Sequence, residues 1–161
     1  MRRTVGIAAG IIGAAVILVA AESCGDSTGP NPKTYVANLS PANEVPPKTT
    51  TGTGVATFVD NGDVINWTLS LTNMTGVIAS PIHGPAAVGV NAGIIINLFI
   101  PNVATGTITG VVARGTITNA NNANVSLDSL RTLFNNGNAY VNVHTSANGA
   151  GEIRDQIHPA N

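Results

Sequence analysis

Residues 54–71 read GVATFVDNGDVINWTLSL. Two runs rich in β-branched and aromatic residues, 54–59 and 64–71, flank an Asp-Asn-Gly-Asp turn at 60–63. An Asn-Gly pair between such runs is typical of a β-hairpin. Apolar and polar side chains alternate in the second run, which predicts a strand with one buried face. The side chains predicted to face the core are Ile65, Trp67, Leu69 and Leu71.

Short apolar runs separated by turn residues continue on both sides of this hairpin. Further strands are predicted at 35–39, 77–82, 93–99, 106–117, 139–145 and 152–157. We expect a bulge at Gly110 or Gly115 in the longest of them. Leucines and Phe134 recur at helical spacing after Ser126, a suitable N-cap, and predict one short helix. This pattern indicates an all-β fold, either a Greek-key β-sandwich or a barrel.

Low charge and a single cysteine limit the class of protein. Of the 161 residues, 9% are charged and 43% hydrophobic, and the formal net charge is −1. This length allows one compact core and is short for two. A weakly acidic chain gives no electrostatic reason to bind nucleic acid. Because Cys24 has no second cysteine to pair with, the fold must be held by its hydrophobic core, its hydrogen-bonded sheets or a metal.

The amino-terminal segment has the features of an export leader. Arg2 and Arg3 precede an uncharged run of small and aliphatic residues that ends at Ala21, which predicts a signal peptide over residues 1–21. Ala21-Glu22-Ser23-Cys24 is similar to a bacterial lipoprotein box, so lipidation of Cys24 is an alternative to plain cleavage. A retained membrane anchor is a third alternative, because the run is only just long enough to span a bilayer. In each case the folded part is predicted outside the cytoplasm.

Two proline-containing segments bound the start of the domain. Residues 22–33 are polar and contain two prolines, which predicts a flexible tether. The domain itself is predicted over residues 34–158. Three prolines in residues 41–47 exclude continued strand pairing and predict a stiff loop after the first strand.

Three separated parts of the chain together resemble the CHRD (chordin-type) domain. They read NEVPP at 43–47, IHGPA at 82–86, and YVNVHT at 140–145 continuing into GEIR at 151–154. Their order and spacing match the family over nearly all of the domain. The residues that carry the resemblance are Glu44, Pro46, Pro47, His83, Gly84, Pro85, Asn142, His144, Thr145, Gly151, Glu152 and Arg154.

The resemblance implies a fold and a location more than an activity. It implies a β-sandwich or barrel with immunoglobulin-like character and a faint likeness to copper/zinc superoxide dismutases, in a secreted protein. The family has no agreed enzymatic reaction. Its middle motif usually reads His-x-His-Gly-Pro, and Pro81 stands here where the first histidine would be. A histidine pair that could hold a metal ion on one strand face is therefore broken.

Strand alternation places several polar side chains together. Tyr140, Asn142 and His144 share one face of their strand, and Glu152, Arg154 and Gln156 share one face of the next. We expect a structural cluster here, in which Glu152 and Arg154 bond to each other or to the backbone.

A metal site is the alternative to a purely structural cluster. Imidazole and carboxylate ligands suit copper or zinc, so His83 and His144 would hold the ion, completed by Glu152 or by His158 in a frayed carboxyl terminus. No other cofactor is expected. The chain lacks a Gly-x-Ser-x-Gly elbow and its one cysteine lies in the leader, so no enzyme is predicted.

The sequence therefore predicts an exported CHRD-type module of the cell envelope or extracellular space. Its expected role is to bind an extracellular protein or surface ligand, or to serve as a structural part of the surface. It would touch a membrane only through its leader or a lipid anchor. Two other functions stay open: a copper- or zinc-binding redox protein of distant dismutase type, and a self-assembling surface subunit.

Overall fold

A computed structural model describes residues 31–122 and 124–160 of the chain. The elements are β1 (Lys33–Leu39), β2 (Thr53–Asp60), β3 (Ile65–Thr75), β4 (Val77–His83), β5 (Ile94–Phe99), β6 (Thr107–Ile117), α1 (Leu127–Asn135), β7 (Tyr140–Thr145), β8 (Ile153–Gln156) and β9 (His158–Pro159). They form a five-stranded sheet, β6-β3-β2-β1-β9, and a four-stranded sheet, β5-β4-β7-β8. All the pairings are antiparallel. The predicted all-β fold is confirmed in its sandwich form.

The predicted hairpin is β2 and β3, which pair from Thr53↔Thr72 to Asp60↔Ile65. Gly62 adopts a positive φ of 92° in the turn, and its N–H donates to Asp60 Oδ1 at 3.0 Å. The alternating apolar residues of β3 are buried as predicted. Trp67 packs so closely on Gly115 of β6 that a Cβ there would lie 2.7 Å from the indole ring.

The predicted bulge lies in the pairing of β3 with β6. Register shifts interrupt it twice, and one falls between Leu71↔Gly110 and Met74↔Ile108. Gly110 has a φ of 120°, a conformation that favours glycine. Of the two glycines considered, Gly110 is therefore the one at the irregularity.

The predicted helix begins and ends where its capping residues indicate. Ser126 Oγ accepts a hydrogen bond from the Ser129 N–H at 3.2 Å, as an N-cap does. Phe134 is fully buried and lies 5.4 Å from Tyr35 and 5.2 Å from Phe58, ring centre to ring centre. The helix thus adds its apolar face to the common core.

The carboxyl terminus is more ordered than the sequence predicted. The expectation of a frayed end is wrong, because β9 pairs with β1 through Val36↔His158 and Tyr35↔Pro159. The predicted signal peptide, Cys24 and most of the tether lie outside the described residues. Within residues 31–122 and 124–160, no helix has the length and hydropathy needed to cross a membrane.

One face of the four-stranded sheet packs on the core and the other carries the polar motifs. Val141 and Val143 of β7 are core residues at 0% exposure, so Asn142 between them faces outward. Two segments, residues 40–52 and 84–93, fold over this outer face, and we call them the covering loops. The Asn91 amide of one donates to the Val45 carbonyl of the other at 3.2 Å.

Candidate functional site

Four side chains from three strands form a continuous row on the outer face of the four-stranded sheet. The ring centres of His144 and His83 are 5.7 Å apart, and those of His83 and Tyr140 are 4.9 Å apart with nearly parallel planes. The guanidinium carbon of Arg154 lies 4.0 Å from the Tyr140 ring centre. We call these four residues the polar row. It unites the middle and carboxyl-terminal motifs of the sequence.

The amino-terminal motif reaches the same place through Glu44. Glu44 is only 4% exposed, although it belongs to a covering loop. A Cβ placed on Gly151 would lie 2.5 Å from the Asn142 amide and 2.7 Å from Glu44 Oε1. Glycine at 151, where φ is 127°, therefore lets these two polar groups meet.

The other motif residues shape the loops around the row. Gly84 is buried, and a Cβ there would lie 3.1 Å from the Asn138 carbonyl oxygen. Pro46, Pro47 and Pro85 are exposed. All four lie in the covering loops.

A bond between Glu152 and Arg154, one of the two predicted alternatives, does not form among the described residues. Glu152 Oε2 accepts hydrogen bonds from Thr145 Oγ1 at 2.6 Å and from the Asn148 amide at 3.0 Å. Thr145 is adjacent to His144 in β7, so its side chain points to the opposite face of the sheet. Glu152 is thus bonded on the inner side, away from the polar row.

Arg154 finds its partners in a covering loop. It is 2% exposed and donates to Asn91 Oδ1 at 2.7 Å and to the Val90 carbonyl at 3.2 Å. The expectation of a backbone partner is confirmed for this residue. The sequence does not predict the contact between Asn91 and Arg154, because nothing in the local pattern around Asn91 indicates that its loop returns to the sheet.

Burial controls the charges at the site. Desolvation raises the pKa of Glu44, with the Arg154 cation acting in the opposite direction. Desolvation also lowers the pKa of His83, and nearby His144 and Arg154 add to this effect. Both side chains are therefore shifted towards their neutral forms.

Unpartnered polar atoms are concentrated here. In the described ranges, six buried side-chain atoms have no hydrogen-bond partner, and four belong to this cluster. These four are Glu44 Oε1, His83 Nε2, Asn142 Oδ1 and His144 Nε2. Buried polar atoms are normally satisfied, so their concentration at one place marks this cluster as a candidate site.

An open cavity of about 240 Å³ lies beside the row, and we call it the loop cavity. Its walls include Glu44, Val45, Val88, Arg154, Asp155 and Gln156. Asp155 is already engaged, because its oxygens accept from the Asn38 N–H at 2.8 Å and the Asn43 amide at 3.0 Å. Glu44 and Arg154 are the other charged side chains in the wall of the cavity.

The structure brings the two predicted metal ligands together but not their predicted companions. His83 and His144 are neighbours in the row, whereas Glu152 bonds on the inner side and His158 is exposed in β9. No group of three histidine, cysteine or acidic side chains suited to a metal occurs among the described residues. Copper or zinc binding, and the redox role built on it, stay predictions.

The comparisons with known proteins agree with the motifs. No match was found among curated proteins or among solved structures. The family model of the CHRD domain matches residues 35–157, which contain the whole four-stranded sheet and every residue of the polar row. The chain therefore belongs to the CHRD domain family.

Proposed function

We propose that this CHRD domain acts outside the cytoplasm as a binding module and that the loop cavity is its recognition site. The observation that carries this proposal is an unpartnered carboxylate oxygen of Glu44 in the wall of an open cavity that Arg154 also lines. Glu44 Oε1 offers an acceptor, and Arg154 retains N–H groups beyond those that bond to Asn91 and Val90.

The size of the cavity indicates what it takes. Pockets for whole cofactors or drug-sized molecules measure about 300–1,000 Å³. The loop cavity is smaller, at about 240 Å³. It suits one polar side chain, or the end of a surface molecule, presented by an extracellular partner.

The test compares two exposed valines. Val88 borders the cavity and is 81% exposed, while Val103 is 77% exposed and does not border it. Labelled protein, residues 25–161, is added to cells of the source organism that lack the gene, and bound label is measured against concentration. We expect saturable binding that Val88→Glu weakens at least tenfold and Val103→Glu changes less than twofold. Equal effects of the two variants, or no saturable binding, would overturn the proposal.

The location outside the cytoplasm has its own test. Its support is the leader pattern of residues 1–21 and the position of Cys24. The intact mass of the exported protein separates the three alternatives, because plain cleavage, lipidation of Cys24 and a retained leader each give a different mass. Protein found only in the cytoplasm at its full-length mass would contradict export.

Self-assembly is a second candidate, favoured by the edges of the sheets. β5 and β6 are terminal strands of the two sheets. Ile94 and Val111 on these strands are 53% and 49% exposed, and unpaired apolar edges are templates for pairing with another copy. Sedimentation velocity over a hundredfold concentration range tests this. A monomer throughout excludes assembly, whereas oligomers abolished by Val111→Lys would support it.

A further inference from the structure

We propose that His83 and His144 hold one monovalent copper ion between their Nε2 atoms. This inference goes beyond the proposed function, because neither histidine borders the loop cavity. The inference rests on the unpartnered Nε2 atoms of His83 and His144.

The hydrogen bonds of both rings fix where each imidazole lone pair lies. His83 Nδ1 is 2.9 Å from the Ala92 carbonyl oxygen, and His144 Nδ1 is 3.0 Å from that of Gly149. A carbonyl oxygen only accepts, so each Nδ1 carries the proton. In a neutral ring the free lone pair is then on Nε2. Metal-binding histidines are oriented in this way, by an Nδ1–H bond to a carbonyl.

Both lone pairs are enclosed. The Nε2 atoms of His83 and His144 are buried and have no hydrogen-bond donor among the described residues. A buried acceptor without a donor is unfavourable, because it has lost its hydrogen bonds to water without replacement. Two such acceptors in neighbouring rings are a pair that one cation would satisfy.

The spacing of the rings fits a shared ion. An imidazole nitrogen binds a metal at about 2.0 Å, which places two ring centres about 5 Å apart at a tetrahedral angle and about 6.3 Å apart in a linear arrangement. The observed separation of the ring centres, 5.7 Å, lies between these two values and therefore allows a shared ion in a bent arrangement.

The charge and ligand number of the pair favour monovalent copper over zinc. Structural zinc takes four ligands and catalytic zinc three from the protein, and in the described part of the chain no third histidine, cysteine or acidic ligand joins this pair. Monovalent copper accepts two nitrogen ligands. The Arg154 cation lies along the same row, beyond Tyr140, and disfavours a second positive charge.

The experiment is an anaerobic titration of the purified full chain with Cu(I) against a chromophoric chelator. Cys24→Ser is present in every sample, because a thiol binds Cu(I) independently. We expect one ion per chain, and at least 100-fold weaker binding in His83→Gln and in His144→Gln. His158→Gln is the matched control, since the third histidine is exposed and outside the row. It should bind as the parent does.

A second measurement needs no variant at the site. Nitrogen NMR of ring-labelled protein should show the Nε2 resonances of His83 and His144 shifting together when one equivalent of Cu(I) is added. Absence of these shifts, copper that is retained when both histidines are replaced, or tighter binding of zinc than of Cu(I) would overturn the proposal. None of these results bears on the Val88 test, so the two proposals fail separately.

Discussion

The guanidinium carbon of Arg154 lies 4.0 Å from the centre of the Tyr140 ring. The contact joins β7 to β8 on the outer face of the sheet, where Asn142 and Arg154 are paired. Because Arg154 also donates to Asn91 and Val90, one side chain connects the sheet to a covering loop. The loop therefore depends on a buried cation for its position.

Replacing Arg154 by lysine should destabilise the domain by about 2–4 kcal/mol. Lysine keeps the charge but has neither the planar fork that reaches both loop acceptors nor the flat surface that stacks on Tyr140. It leaves a poorly paired buried cation. Urea denaturation measures the change. Arg114→Lys on the exposed edge of β6 is the control and should change stability by less than about 0.5 kcal/mol. A similar loss in both variants would contradict the assigned role of Arg154.

The alternation of side chains along a strand explains how much of the site was predictable. Tyr140, Asn142 and His144 were placed on one face by alternation alone, and the structure keeps them there. The hairpin and the capped helix were also predictable, since each is fixed by residues within a few positions of its ends.

The parts that were missed depend on long-range packing or on a break in the period. Glu44 and Asn91 reach the sheet from loops whose paths no local pattern indicates. Glu152 follows Gly151, whose φ of 127° ends the alternation, so Glu152 bonds to Thr145 and not beside Arg154. The glycine at position 151 was the available signal in the sequence that the alternation of side chains is interrupted before Glu152.

Gly151→Ala should cost about 3 kcal/mol. Its φ of 127° is unfavourable for any residue with a Cβ, and the new methyl group would meet the Asn142 amide and Glu44. Gly149→Ala is the matched control two residues away, because nothing lies within 4 Å of a Cβ there. It should change the free energy of unfolding by less than about 1 kcal/mol. If the two alanine variants unfold at the same denaturant concentration, Gly151 is not the point where Glu44 and Asn142 meet.

Glu44→Gln should stabilise the domain by about 1 kcal/mol at pH 7 and have little effect near pH 4. The pKa of Glu44 is raised in the folded state, mainly by burial. The wild type therefore loses stability as the pH rises from the ordinary glutamate pKa through the raised one, and the loss persists above it. Glutamine has no charge to desolvate. Urea denaturation at both pH values gives the comparison, with exposed Asp63→Asn as the control. A destabilising Glu44→Gln at pH 7 would show that the Arg154 cation outweighs desolvation.

Asp60→Asn tests the ion pair that ties the helix to the hairpin turn. Arg131 Nε donates to Asp60 Oδ2 at 2.7 Å and Nη2 to Oδ1 at 3.0 Å, and the same guanidinium reaches the Gly62 carbonyl. These bonds to Arg131 hold the pKa of Asp60 below its usual value.

A lowered carboxyl pKa contributes stability that is complete above the unfolded-state pKa and is lost as the pH falls through the folded-state value. Asp60→Asn should therefore cost about 1 kcal/mol at neutral pH, and the difference from the wild type should shrink below about pH 3. Asp128, the other partner of Arg131, is 92% exposed, so Asp128→Asn should cost only a few tenths of a kcal/mol. Denaturant midpoints of the two variants at pH 7 and pH 2.5 show which carboxylate contributes more to stability through Arg131. A loss in Asp60→Asn that is equally large at both pH values would assign it to packing and not to charge.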